Sequence, residues 1–226
     1  MSPSLINILM LFLLVANMAV IASSRLRFCI KVVAVQGVVI GLLPCVIYGD
    51  ITLFPTVLAV VTIGVKGIVF PLLLGWSLKK ANVRREIEPL VSYTFSIVTA
   101  VLIFILSFWL VSRLSLPSIL PASLLVPVAF ATIMIGLFII VSRTKALTQV
   151  LGYLVMENGI YAFGVAMLRE QPFLVELGIL LDMFVAVFVM GIAIFHISQE
   201  FDHIDTHMLD SLSEYDRVGS QNTEGT

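Results

Sequence analysis

"GYLVMENGIYAFG", residues 152–164, sets Glu157 and Asn158 inside an otherwise apolar run. The run extends over residues 147–168, close to the roughly 20 residues that an α-helix needs to cross a bilayer. A carboxylate at the centre of a bilayer costs at least about 2.5–3.5 kcal/mol, so it must face protein, water or another charge. The rest of the chain decides whether this helix sits in a membrane. The 226 residues are 60% hydrophobic and 12% charged, with a mean hydropathy of +1.11. Soluble domains carry about 25% charged residues. So few charges cannot cover the surface of a soluble fold, and the composition points to a membrane protein. The net charge is −1 and no basic patch interleaved with aromatics occurs, which excludes nucleic acid as a partner.

Apolar segments lie near 4–23, 31–49, 52–78, 92–112, 120–142, 147–168 and 173–197. The sequence therefore predicts an all-α polytopic membrane bundle of seven transmembrane helices. Arg25, Arg27 and Lys31 follow the first segment, Lys79, Lys80, Arg84 and Arg85 the third, and Arg143 and Lys145 the fifth. The intervening loops hold Arg113 and Arg169, with Asp50 and Glu170. Alternation of basic loops predicts an N-terminus outside and a C-terminus in the cytoplasm. "MSPSLIN" at the start carries no Lys or Arg, whereas positive charge follows the first segment, the polarity of a retained helix rather than of a cleaved signal. The expected organisation is a three-helix region over 1–78, a basic cytoplasmic linker over 79–90, a further helix within 91–118, a three-helix unit over 119–198 and a polar cytoplasmic tail over 199–226.

Away from loops and segment ends, Lys66, Glu157 and Asp182 are the ionisable residues at depth. Each lies at least nine residues from either end of its segment, hence roughly 13 Å or more along a helix. Tyr153 and Tyr161 stand at i±4 from Glu157, within reach along one helical face. Asp182 has Gly178 and Ala186 at i±4, a stripe that permits close helix approach. Lys66 stands between Gly64 and Gly67, with Pro71 beyond. Proline deprives the carbonyl four residues back, that of Gly67, of its helical donor, which is tolerated where the carbonyl lines a polar cavity. Two readings are open. In one, Lys66 and a carboxylate form a structural ion pair. In the other, the three groups are proton relay residues, with Tyr153 and Tyr161 in support.

Other features carry less. Cys29 and Cys45 are sixteen residues apart on one segment, roughly 24 Å along a helix, too far to bridge. His203 and His207 in the tail have metal-like spacing, but a solvated acidic tail is the plainer reading and no metal site is assigned. Gly37 and Gly41 form a GxxxG that can seat another helix. Trp76 and Trp109 fit interfacial anchors, and Gln36 and Gln149 fit polar contacts between helices.

The stretches "VLGYLVMENGIYAFG" (150–164), "ELGILLDMFVAVFVMGIAIFHI" (176–197), "HIDTHMLDSLSE" (203–214) and "VTIGVKGIVFPLLLG" (61–75) together resemble the hydrogenase-4 component E family of membrane subunits. The C-terminal half is similar to NuoK, the small membrane subunit of respiratory complex I. The resemblance runs over about residues 50–215. It implies that 119–198 is a NuoK-like unit with Glu157 and Asp182 as its two intramembrane carboxylates. Asp182 is one methylene shorter than the NuoK glutamate, as suits component E. It further implies a subunit, not catalytic alone, of a group 4 nickel–iron hydrogenase or formate hydrogenlyase-type complex in a bacterial or archaeal cytoplasmic membrane. The expected partners are antiporter-like and anchor membrane subunits and a soluble hydrogenase arm. No cofactor is expected in this chain; the nickel–iron centre and iron–sulfur clusters would lie in those partners. Proton translocation coupled to electron transfer is the implied function. The alternatives are a subunit of a multi-subunit cation/proton antiporter, whose small chains are also NuoK-like, and a structural spacer of the membrane arm.

Overall fold

The computed structural model describes residues 3–48, 53–80, 91–114 and 124–167. They form helices α1 (Pro3–Ala22), α2 (Leu26–Tyr48) and α3 (Leu53–Thr62), a π-helical stretch (Ile63–Val69), then α4 (Phe70–Lys80), α5 (Tyr93–Arg113), α6 (Leu125–Ser142) and α7 (Ala146–Met167). No strand occurs among the described residues. Among the described residues, five stretches are long and apolar enough to cross a membrane: Ser4–Ala22, Leu26–Ile47, Ala59–Trp76, Tyr93–Arg113 and Leu125–Ser142. Helix α7, with 22 residues, has comparable length and carries Glu157. The first six predicted segments thus correspond to helical structure, while the seventh (173–197), linker residues 81–90 and the tail lie outside the described residues.

Helix is the natural state of such runs, because in hydrocarbon each backbone N–H and C=O must be satisfied within its own segment. Local chemistry sets some ends. Ser92 caps α5, its Oγ accepting from the Phe95 amide at 3.3 Å. Pro127 sits in the first turn of α6, where its missing amide proton removes no helical bond. Helix α2 begins earlier than the hydropathy suggested and takes in Arg27 and Lys31, both exposed, whose stems let their charges reach outward.

The third segment departs from regular α-helix where proline chemistry predicts a disturbance. Over Ile63–Val69 the chain widens into a π-helix, and the Phe70 amide bonds to the carbonyl of Val65, five residues back. Thr62 and Phe70 keep right-handed helical angles on either side, so the segment continues through the wide turn. The disturbance just ahead of Pro71 is therefore a change of helical register, and Lys66 lies in the middle of it.

Glycines determine the closest contacts. A Cβ on Gly136 would lie 2.4 Å from the Met156 amide nitrogen, and one on Gly159 would lie 2.6 Å from that of Ile133. Antiparallel α6 and α7 consequently meet backbone to backbone. Likewise a Cβ on Gly37 would lie 2.7 Å from Lys66 Cβ, and one on Gly41 2.5 Å from Ile63 Cγ1. The GxxxG of α2 thus seats the π-helical stretch. One apolar core joins α1, α2, α4, α5, α6 and α7 around Phe70, Phe104, Ile135 and Leu151; a second lies around Met10, Leu43, Val128 and Ala162. The outside is apolar as well: Val15, Val60, Leu72, Leu102 and Ile105 are all exposed. An apolar exterior over a packed interior is the arrangement of a multi-pass bundle in lipid.

Candidate functional site

Lys66 and Glu157 meet inside the bundle. Lys66 Nζ lies 3.3 Å from Glu157 Oε1, and the two side chains are 3% and 2% exposed. One partner comes from the π-helical stretch and the other from the middle of α7. Gly37 allows the backbone at Lys66 to press against α2, which brings the lysine stem inside the bundle. The Lys66 ammonium also stands 5.2 Å from the centroid of the Tyr161 ring, a cation–π contact one turn beyond Glu157. Asn158, next in sequence to the carboxylate, is buried too.

This geometry answers a question that the sequence left open, since Lys66 does pair with a carboxylate, and that carboxylate is Glu157. Tyr161 joins the pair through its ring face, on the cationic side. Tyr153 is half-buried and packs against the first core cluster. Asp182 lies outside the described residues, as do His203 and His207. No group of three or more His, Cys, Asp or Glu able to hold a metal occurs among the described residues.

A second polar cluster crosses the same interior. Gln36 Nε2 donates to Asn17 Oδ1 at 2.9 Å, Asn17 Nδ2 donates to Thr132 Oγ1 at 2.8 Å, and Thr132 Oγ1 donates to the Val128 carbonyl at 2.7 Å. All three side chains are fully buried. The ladder ties α2 to α1 and α1 to α6. Gln36 is legible in the sequence as an interhelical contact; Asn17 and Thr132 are not. Asn17 had a usable signal as an amide deep within an apolar helix, whereas a lone threonine in such a helix can bond its own backbone and needs no partner.

Arg143 is the other residue whose placement the sequence did not disclose. Counted as a basic loop charge, it is in fact 4% exposed. Its Nη2 donates to the Ile21 carbonyl at 3.2 Å, its guanidinium lies 4.5 Å from the centroid of the Tyr93 ring, and its own carbonyl accepts from Gln149 Nε2 at 3.0 Å. The last turn of α1, the first of α5 and the α6–α7 connection therefore share one end of the bundle. Alternating loop charges require these three points to lie on one side.

The chain is similar to an uncharacterized protein of Mycobacterium tuberculosis, Rv0085, at 29% identity over 208 residues, covering 89% of this chain and 91% of that protein. It is also similar to hydrogenase-4 component E of Escherichia coli, at 28% identity over 147 residues, which covers 65% of this chain and 68% of that protein. Hydrogenase-4 component E of Shigella flexneri matches to the same extent. No family model and no solved structure matches the chain.

Proposed function

We propose that this chain is an integral membrane subunit of a complex I-related hydrogenase complex, and that the Lys66–Glu157 pair takes part in moving protons across the membrane. The observation that carries the reading is an ion pair, 2–3% exposed, at the centre of a bundle whose exterior is apolar. The similarity to hydrogenase-4 component E supports the choice of complex. In this reading α6, α7 and residues 173–197 form the NuoK-like unit, with Glu157 and Asp182 as its carboxylates. In the same reading the redox groups, a nickel–iron centre and iron–sulfur clusters, belong to partner subunits rather than to this chain.

The pair's geometry suits a relay. A proton arriving at Glu157 neutralises the carboxylate and removes the counter-charge of the Lys66 ammonium. The Tyr161 ring beside the ammonium offers a quadrupole, a weaker partner than the carboxylate charge that is lost. Passing a proton from Lys66 to the next acceptor restores neutrality, and transfer of the Glu157 proton to the neutral Lys66 amine re-forms the ion pair and completes the cycle. Asp182 is the proposed further relay group.

Gentle detergent extraction tests the assignment of the complex. Co-purification with a large subunit carrying paired CxxC motifs, together with nickel and iron in stoichiometric amounts, is the expected result. Co-purification with membrane subunits alone, free of nickel, would instead place the chain in a cation/proton antiporter.

A further inference from the structure

The amide ladder has a direction that can be deduced, although the oxygen and nitrogen of an amide look alike. A backbone carbonyl only accepts, so at 2.7 Å from the Val128 carbonyl Thr132 must use its single hydroxyl proton there. Thr132 Oγ1 then accepts from Asn17, which fixes the Asn17 amide with nitrogen toward Thr132 and oxygen toward Gln36. Gln36 must in turn present its nitrogen to Asn17. By elimination its remaining atom, Oε1, is an acceptor locked facing away from the ladder. That atom is buried and has no hydrogen-bond partner among the described residues.

The ladder lies at the level of the ion pair. Gln36 directly precedes Gly37, against which the Lys66 backbone packs. Thr132 directly precedes Ile133, which meets Gly159, two residues beyond Glu157. The ladder residues are thus one position along their helices from the contacts that seat the two stretches carrying the pair. Buried acceptors in native proteins find a donor, and in a polar recess that donor is commonly an internal water with two to four partners.

We propose that Gln36 Oε1 marks a buried water site linked to the Lys66–Glu157 pair, with Asn17 and Thr132 as positioning residues that hold the amide in its accepting orientation. The bound species is water, or a hydrated proton in transit. The inference rests on the relay reading for its functional half. An amide ladder does not itself carry protons, because its N–H groups are not released; its part is to orient the water. A water donating to Gln36 Oε1 turns its lone pairs toward a donor such as the Lys66 ammonium, the orientation required to receive a proton from it.

The test is a high-resolution electron cryomicroscopy map of the intact assembled complex, compared for the wild type, Gln36→Met and Thr132→Val, with the pH profile of ion transport measured on the same preparations. Expected are an ordered water within hydrogen-bond distance of Gln36 Oε1 in the wild type, its loss in Gln36→Met with the helices unmoved, and transport reduced several-fold with a displaced pH profile. Thr132→Val frees the ladder to reverse, and a weaker change in the same direction is expected. The proposal is overturned if Gln36 Oε1 is bonded directly to a protein side chain, or if no water stands there in a map that shows other internal waters. An unaltered transport rate and pH profile in Gln36→Met would also overturn the link to the pair. Unaltered transport in Glu157→Gln would instead refute the relay reading, leaving an observed water in place as a structural one.

Discussion

A buried charge is conspicuous in a sequence, but its partner is not. Lys66 and Glu157 stand out because each interrupts an apolar run, yet nothing local reveals that they meet at 3.3 Å. That contact depends on Gly37, on the π-helical turn and on the pairing of α6 with α7, all of which are tertiary facts. The energetics are asymmetric. Removing one partner of a buried pair strands the other charge at a cost of about 3–5 kcal/mol, whereas removing both costs far less. Lys66→Met is accordingly expected to lower the thermal unfolding temperature in detergent markedly, and adding Glu157→Gln is expected to recover most of the loss. Equal melting of the single and double variants would show that the pair does not form. Asn17 and Thr132 were illegible for a different reason: small polar residues in apolar helices satisfy themselves in several ways, and only the packing chooses among them.

Among the helices, hydropathy located the spans but did not disclose how closely they approach. The glycines of α6 and α7 read as unremarkable in sequence. In the structure, an added Cβ at Gly136 or Gly159 would strike backbone atoms of the facing helix at 2.4 Å and 2.6 Å. Backbone cannot yield as a flexible side chain can, so Gly136→Ala should destabilise by at least the 1–3 kcal/mol that is about the usual range for overpacking. At Gly75 in α4 nothing lies within 4 Å. There the same substitution should be neutral or should stabilise by up to about 1 kcal/mol through helix propensity. Melting curves of the two variants, side by side, check the contrast. The π-helical stretch shows the same division of information. Pro71 predicted that the helix would depart from regularity near Lys66, and the form of that departure, a bond from Phe70 to Val65, emerged only with the fold.

For the whole molecule, composition was sufficient to assign a membrane bundle, since 12% charged residues admit little else. Alternating charge predicts that the loops after the first, third and fifth segments share one side. Arg143, joining the ends of α1 and α5 to the α6–α7 connection, places those three points together by independent means. By the positive-inside rule we propose that all three face the cytoplasm. A cysteine introduced at Thr144, an exposed position in the α6–α7 connection, should react with a membrane-impermeant maleimide in inside-out vesicles and stay unlabelled in right-side-out ones. The reverse pattern would invert the topology. The relay itself is tested most directly by Glu157→Gln in the assembled complex, with ion translocation and electron transfer measured together in inside-out vesicles. The account predicts that the complex assembles and that translocation per electron pair falls at least tenfold. Translocation at the wild-type ratio would contradict it and leave the ion pair as a structural element of the bundle.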